Sequence, residues 1–245
     1  MNLLLVEPEE IRADGTVRLS GRRARHAHAV LAATPGQRLR AGVVGGRMGL
    51  SQVVASGEDE LVLSLVLDRD PPPPAPLQLL LALPRPKVLR RVLQAVASMG
   101  VKRLVLCGSW RVERSYFGSP ALDPAALRAE LLLGLEQGRD TIVPDVQVRR
   151  LFKPLVEDEL AGLLPAPVRL LAHPGVAATL PAPPATGDVA LAIGPEGGFT
   201  PYEAALLESH RWSTFSLGER VLRVDTAVAV AAGRILQWLG RSSRA

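Results

Sequence analysis

The stretch "ALAIGPEGGFTPYEAA", Ala190 to Ala205, decides how this chain is read. A run of small and apolar residues ends at Gly194, as a buried strand would. Pro195-Glu196-Gly197-Gly198 follows, with three strong turn-formers and one carboxylate. Thr200 and Glu203 then form a capping-box pattern with Pro201 at the first helical position, so a helix begins there. The loop between them is not a phosphate cradle. It lacks the Lys-Ser/Thr of a P-loop and the spacing of the dinucleotide fingerprint, and Glu196 would repel a phosphate. Glycine-rich backbone beside a carboxylate suits a neutral or cationic ligand that approaches closely. A tight turn alone also accounts for the glycines.

Working outward, strands alternate with helices. Leu77 to Leu83 is a continuous apolar run, as in a strand buried on both faces. Lys87 to Met99 places Val88, Leu89, Val92, Leu93 and Val96 on one helical face, and Gly100 sits where a C-terminal glycine belongs. Leu104 to Cys107 reads as the next strand, and Asp123-Pro124 opens a helix to about Gln137. Val168 to Ala172, Val189 to Ile193 and Ser213 to Leu217 are further strands. A last helix runs from about Thr226 to Leu239. The pattern predicts an α/β fold with a mostly parallel sheet covered on both sides.

In such sheets ligands sit beyond the carboxyl ends of the strands. Three ends here stand out: Leu170 to Gly175, the glycine-rich loop, and Leu217 to Arg223. The last pairs a Leu-Gly strand end with Arg220 and Arg223 before a helix start. Side by side, the second and third loops would wall a pocket with backbone and floor it with Leu and Ile. Solvated surface charge equally accounts for the two arginines, and core packing for Leu222.

Asp70-Pro71-Pro72-Pro73-Pro74-Ala75-Pro76 marks a boundary, because consecutive prolines adopt an extended conformation and end regular structure. It predicts a domain over 1–70, a linker over 71–76 and a second domain over 77–245. Before the prolines, Leu39 to Val44, Leu50 to Ala55 and Glu60 to Leu67 are short strand-like runs parted by Gly-rich turns, giving a small β domain. One helical piece, Arg22 to Leu31, carries Arg22, Arg23, Arg25, His26 and His28. The two histidines, two residues apart, do not share a helix face and read as surface or RNA-side groups rather than metal ligands.

The 245-residue chain has a net charge of +5, and 26 of its 29 basic residues are Arg. Ile11 to Arg47 holds eight Arg against Asp14, and Arg85 to Arg114 holds eight Lys or Arg against Glu113. Two separated basic regions point to an anionic partner such as nucleic acid, although an Arg-rich composition alone also raises the total. Cys107 is the single cysteine. That excludes a disulfide framework, and the Cys/His spacing predicts no metal site. No apolar stretch is long enough for a membrane span and no signal-peptide pattern opens the chain, so a soluble, cytoplasmic protein is expected.

"IGPEGGFT" (Ile193 to Thr200) followed by "SLGERVLRVDTA" (Ser216 to Ala227) closely resembles the RsmE family, methyltransferases of small-subunit ribosomal RNA. The resemblance covers nearly the whole chain. It implies a SPOUT-type domain with a deep C-terminal trefoil knot, an N-terminal PUA-like β-barrel, and a homodimer with the cofactor near the subunit interface. It also implies S-adenosylmethionine as cofactor and N3 of one uridine in 16S ribosomal RNA, naked or in the small subunit, as target. By position, Leu171, His173, Ile193, Gly194, Glu196, Gly198, Leu217, Gly218, Val221 and Leu222 would hold the cofactor. Val224 and Asp225 depart from the usual family residues, as do Ala95, Ser98 and Asp140. An inactive RNA- or ribosome-binding relative, or a SPOUT enzyme for another RNA, is the alternative.

Methyl transfer from a sulfonium depends mainly on alignment. Uracil N3 must first lose a proton, and a nearby cation stabilises the resulting anion. Arg223 is the first candidate, with Arg220 second. Glu196 would act as base, balance the sulfonium, or sit as a favourable charge near a helix N-terminus. Arg22, Arg23, Arg25, Lys87, Arg111 and Arg114 are the candidate RNA contacts, positioning phosphates rather than reading sequence.

Overall fold

The computed structural model describes residues 2–177, 179–181 and 187–242. The chain divides into two compact units, Met1–Pro73 with Leu131–Val143, and Pro74–Glu130 with Pro144–Ala245. The first division falls within the proline run. Residues 131–143 group with the first unit because they bond into it: Asn2 N donates to the Glu136 carbonyl at 3.0 Å, and Gly45 N to that of Thr141 at 2.8 Å.

The first unit is a five-stranded sheet of order β1-β3-β4-β5-β2, built from β1 (Leu4–Val6), β2 (Thr16–Ser20), β3 (Arg38–Val43), β4 (Met48–Ser56) and β5 (Glu60–Arg69). β1 pairs with β3 in parallel, and the other neighbours are antiparallel. The β4–β5 ladder shifts register between Met48 and Leu50. Gly49 is needed there, since a Cβ would fall 2.2 Å from the Val66 carbonyl oxygen. Helix α1 (Gly21–Leu31) sets Ala24 and Ala27 into a core with Val17, Leu19, Leu61 and Leu63. The short β1 and the polar-flanked β2 escape a hydrophobic-pattern reading. β1 is only three residues long, and β2, Thr-Val-Arg-Leu-Ser, alternates but carries just two apolar residues.

The second unit is a mixed α/β fold around a six-stranded, all-parallel sheet of order β11-β9-β10-β6-β7-β8. Its strands are β6 (Leu77–Ala82), β7 (Arg103–Cys107), β8 (Asp145–Arg149), β9 (Val168–Ala172), β10 (Val189–Ile193) and β11 (Trp212–Phe215). Every residue of β6 and β10 is buried, as parallel strands covered on both faces must be. Its helices are α2 (Pro86–Ser98), α4 (Phe152–Pro154), α5 (Leu160–Leu163), α6 (Pro201–Ser209) and α7 (Val224–Ser242), while α3 (Pro124–Gly138) begins in this unit and runs on into the residues that group with the first. A π-helical turn, Leu155–Glu159, joins α4 to α5. β10 lies between β9 and β6, two strands that precede it in the chain. No helix among the described residues is long and apolar enough to cross a membrane.

Candidate active site

β11, β9 and β10 are neighbours in the sheet, and their carboxyl ends are level. Ala172 pairs with Ile193 on one side and Phe215 on the other. His173 N extends the ladder to the Phe215 carbonyl at 3.0 Å. The three loops singled out in the sequence therefore leave the sheet at one place, as parallel register requires.

The glycine-rich loop folds back on itself. Gly198 N donates to the Pro195 carbonyl at 2.8 Å, and Gly198 has φ +72°. A Cβ on Gly194 would stand 2.8 Å from the Phe199 nitrogen. The capping box closes α6: Thr200 N donates to Glu203 Oε2 at 2.8 Å, and Glu203 N to Thr200 Oγ1 at 3.3 Å. The other oxygen of buried Glu203 accepts from the Trp110 backbone N–H at 2.7 Å, tying the loop after β7 to the start of α6. Arg111 braces the same loop by donating to the Gly197 carbonyl.

The third loop is held by Ser216, whose Oγ accepts from Gly218 N at 3.1 Å, while Gly218 takes φ +129°. Arg234 of α7 donates to the Ser216 carbonyl at 2.9 Å. At the loop's end, Asp225 in the first turn of α7 pairs with Arg91 of α2 at 2.8 Å.

A cleft opens between these loops. His173, Ile193, Gly194, Glu196, Gly198, Leu217, Gly218, Arg220, Val221 and Leu222 all line it. Leu171 does not: it is fully buried within β9, where its backbone pairs with Ala192 and Thr214. The strand's last residue, Ala172, takes the wall position instead, one alternation further on. Phe199, Val224 and Ala227 also line the cleft. Their sequence signal is weak, because each reads as an ordinary core residue at a helix or loop start. The walls are mostly apolar side chain and bare backbone, with Glu196 as the only acid among the described residues. That composition fits a ligand with a flat apolar part and a positive charge.

A second, cationic cleft adjoins the first and shares Glu196, Val221, Leu222 and Val224 with it. Arg223 faces this side, with Arg85, Lys87, Arg91 and Tyr116. Glu196 accepts from the Arg85 backbone N–H at 3.3 Å and lies 4.0 Å from its guanidinium, at the start of α2. Arg85, Lys87 and Arg223 against Glu196, with Arg91 already paired to Asp225, make this wall attractive to a polyanion.

The arginines of α1 are differently occupied. Arg22 makes a two-pronged pair with the buried Glu136 at 2.8 and 3.1 Å. Arg23 pairs with Glu10, and Arg25 reaches Asp59 only at 3.6 Å with both side chains largely exposed. Arg114 lies on a further cleft in the second unit, at the start of α6. No cluster of metal-ligating side chains occurs among the described residues.

Residues 71–236 match the family described as an RNA methyltransferase domain. The chain is 30% identical over 242 residues to the ribosomal RNA small subunit methyltransferase E of Treponema pallidum, covering 96% of this chain and 91% of that one. Among solved structures it resembles a probable rRNA-methyltransferase from Porphyromonas gingivalis, with a TM-score of 0.74 and 23% identity over 98% and 99% of the two chains. It also resembles a ribosomal RNA small subunit methyltransferase E from Neisseria gonorrhoeae, solved bound to S-adenosyl methionine. There the TM-score is 0.71 at 19% identity, with 97% of each chain covered.

Proposed function

This chain belongs to the RNA methyltransferase family, and within it to the ribosomal RNA small subunit methyltransferases E; from that premise we propose that its first cleft binds S-adenosylmethionine and its cationic neighbour receives 16S ribosomal RNA. The observation that carries the reading is the pairing of the two clefts. One is a glycine-walled, mostly apolar pocket with a single carboxylate, and the other is a basic groove sharing its rim.

Gly194, Gly198 and Gly218 would hold the cofactor against bare backbone in the first cleft, and Leu217, Leu222 and Ile193 would offer it apolar faces. When bound, the cofactor supplies an electrophilic methyl group on a sulfonium. The residues supply alignment, charge and a place for the proton. We assign the target as N3 of a uridine, so an N–H must be lost as the N–CH3 bond forms. Arg223, on the basic side, stabilises the uracil anion, and Arg220 on the cofactor side assists. Glu196, which lines both clefts, is the acid we assign to take the proton. Its hydrogen bond from the Arg85 N–H keeps it oriented.

The same proposal includes the knot, the PUA-like barrel, the homodimer and the cytoplasm as the compartment. Insertion of β10 between two earlier strands supports the knot. The mixed five-stranded sheet with its bulge supports the barrel. Exposed Val221 at the pocket rim and Val230 on α7 support a covered face. For the RNA, Lys87, Arg111 and Arg114 in the second unit and Arg25 in the first are the freer phosphate contacts. Arg22 and Arg23 would have to leave their carboxylates to join them.

Incubation with methyl-labelled cofactor and either naked 16S RNA or assembled small subunits, followed by mapping of the modified base, tests the reading. Methylation at uridine N3 is the expected result. Arg223→Ala should abolish it while leaving cofactor affinity within a few-fold. Full activity in that variant removes Arg223 from the chemistry, and binding without any transfer by the parent chain favours a non-catalytic RNA-binding relative.

A further inference from the structure

The loop after β7, the residues after β8 and the first turn of α6 enclose a third cleft in the second unit, which the proposed chemistry does not use. Its rim carries two bare aromatic rings. Trp110 is 86% exposed and Tyr202 is 60% exposed. An indole left so far in water keeps most of its apolar area unburied, yet the backbone beneath it is tightly held. Trp110 N–H is fixed on Glu203, and Gly108 N–H donates to the Arg149 carbonyl at 2.8 Å. A Cβ on Gly108 would fall 2.0 Å from the Arg150 carbonyl oxygen, so the two chain segments are in contact. The ring is thus a platform on a braced support.

Cations surround it. Arg150 stacks its guanidinium 5.6 Å from the centroid of Phe117, and Arg114 and Lys153 line the same cleft. Neither Arg114 nor Arg150 has a carboxylate partner among the described residues, and Lys153 has only Glu157 at 3.8 Å. The acid in the wall, Glu203, is buried and fully engaged. Exposed aromatic faces interleaved with unneutralised cations match the flat bases and negative backbone of unpaired RNA. An apolar protein surface would leave those cations unmatched.

We propose that this cleft binds unpaired nucleotides flanking the methylated base, with Trp110 and Tyr202 as stacking platforms and Arg114, Arg150 and Lys153 on the phosphates. The inference rests on RNA being the substrate. Continuity favours a flanking position: Phe199 lines the cofactor cleft and the next residue, Thr200, lines this one.

Fluorescence anisotropy with a labelled single-stranded RNA of about ten nucleotides tests it on the full chain, with duplex RNA of matched length as control. Trp110→Ala should weaken single-strand binding roughly tenfold or more. Trp110→Phe should restore most of it, and cofactor binding by calorimetry should be unchanged in both. Arg114→Ala should lower the slope of log affinity against log salt by about one. Single-strand affinity within twofold of the parent in Trp110→Ala overturns the proposal. So does a fall in sedimentation mass for that variant, which would assign the cleft to a second copy of the chain. A chain that binds the oligonucleotide through Trp110 but methylates no ribosomal RNA keeps this site and sinks the enzymatic reading, so the two fail separately.

Discussion

Gly194 sits where the chain turns back to within contact of itself, and the 2.8 Å between a Cβ there and the Phe199 nitrogen leaves no room for a side chain. Gly194→Ala should push the loop off its course, costing about 1–3 kcal/mol of stability and weakening cofactor affinity at least tenfold. Thermal unfolding and calorimetry check both, and parent-like cofactor binding would show that the loop has slack. Glu203 makes a related point. Its capping box was legible because a pair three residues apart is a local event. Its bond to Trp110 was not, because the partners are 93 residues apart and nothing in either segment names the other. Cys107 is likewise settled by surroundings: burial, and then the charge of Glu203, push its thiol well above the ordinary range, so it stays an unreactive core group.

At the scale of elements, the start of α7 matters most, because it ends the loop that carries Arg220 and Arg223. Asp225 stabilises that N-terminus twice, through the helix dipole and through Arg91 on α2. Both side chains keep some solvent contact, so the pair is worth on the order of 1 kcal/mol. A double-mutant cycle of Asp225→Ala and Arg91→Ala, followed by chemical denaturation, should return a coupling energy of about that size; additivity would mean the contact is incidental. The departure at Asp225 thus has a structural partner. Strands β9 and β10 were readable to the residue because β10 is a short apolar block and β9 is one but for Arg169. β11 was expected over Ser213–Leu217 and lies at Trp212–Phe215, since the Ser216 hydroxyl bonds Gly218 and bends the chain out of the sheet. β8 went unread, its half-buried Asp145-Val-Gln-Val-Arg149 resembling a polar loop.

For the molecule as two units, the first depends on ion pairs that also occupy arginines expected to meet RNA. The Arg23 hydrogen bond to Glu10, aided by the Glu7 N–H, holds the Glu10 carboxyl below its ordinary value despite partial burial. A depressed folded-state pKa gives stability that is present above the unfolded pKa and lost as pH falls through the folded one. Glu10→Gln should therefore unfold earlier than the parent at pH 7. The gap should close as the pH drops below the ordinary carboxylate range, as denaturation curves at several pH values would record; a gap independent of pH would assign the loss to packing. Local features were legible along the chain: the apolar strand blocks, the capping box, the proline run and the three glycine- and arginine-marked loops. Those features depend on residues within a turn or two of one another, and their physics is written in the order of the chain. Packing settled which side of the loop Arg223 faces, that Ala172 rather than Leu171 reaches the cleft, that residues 131–143 group with the first unit, and that Trp110 and Tyr202 line one cleft. Each of these is a choice among partners far apart in sequence, and it is made by strand register and packing.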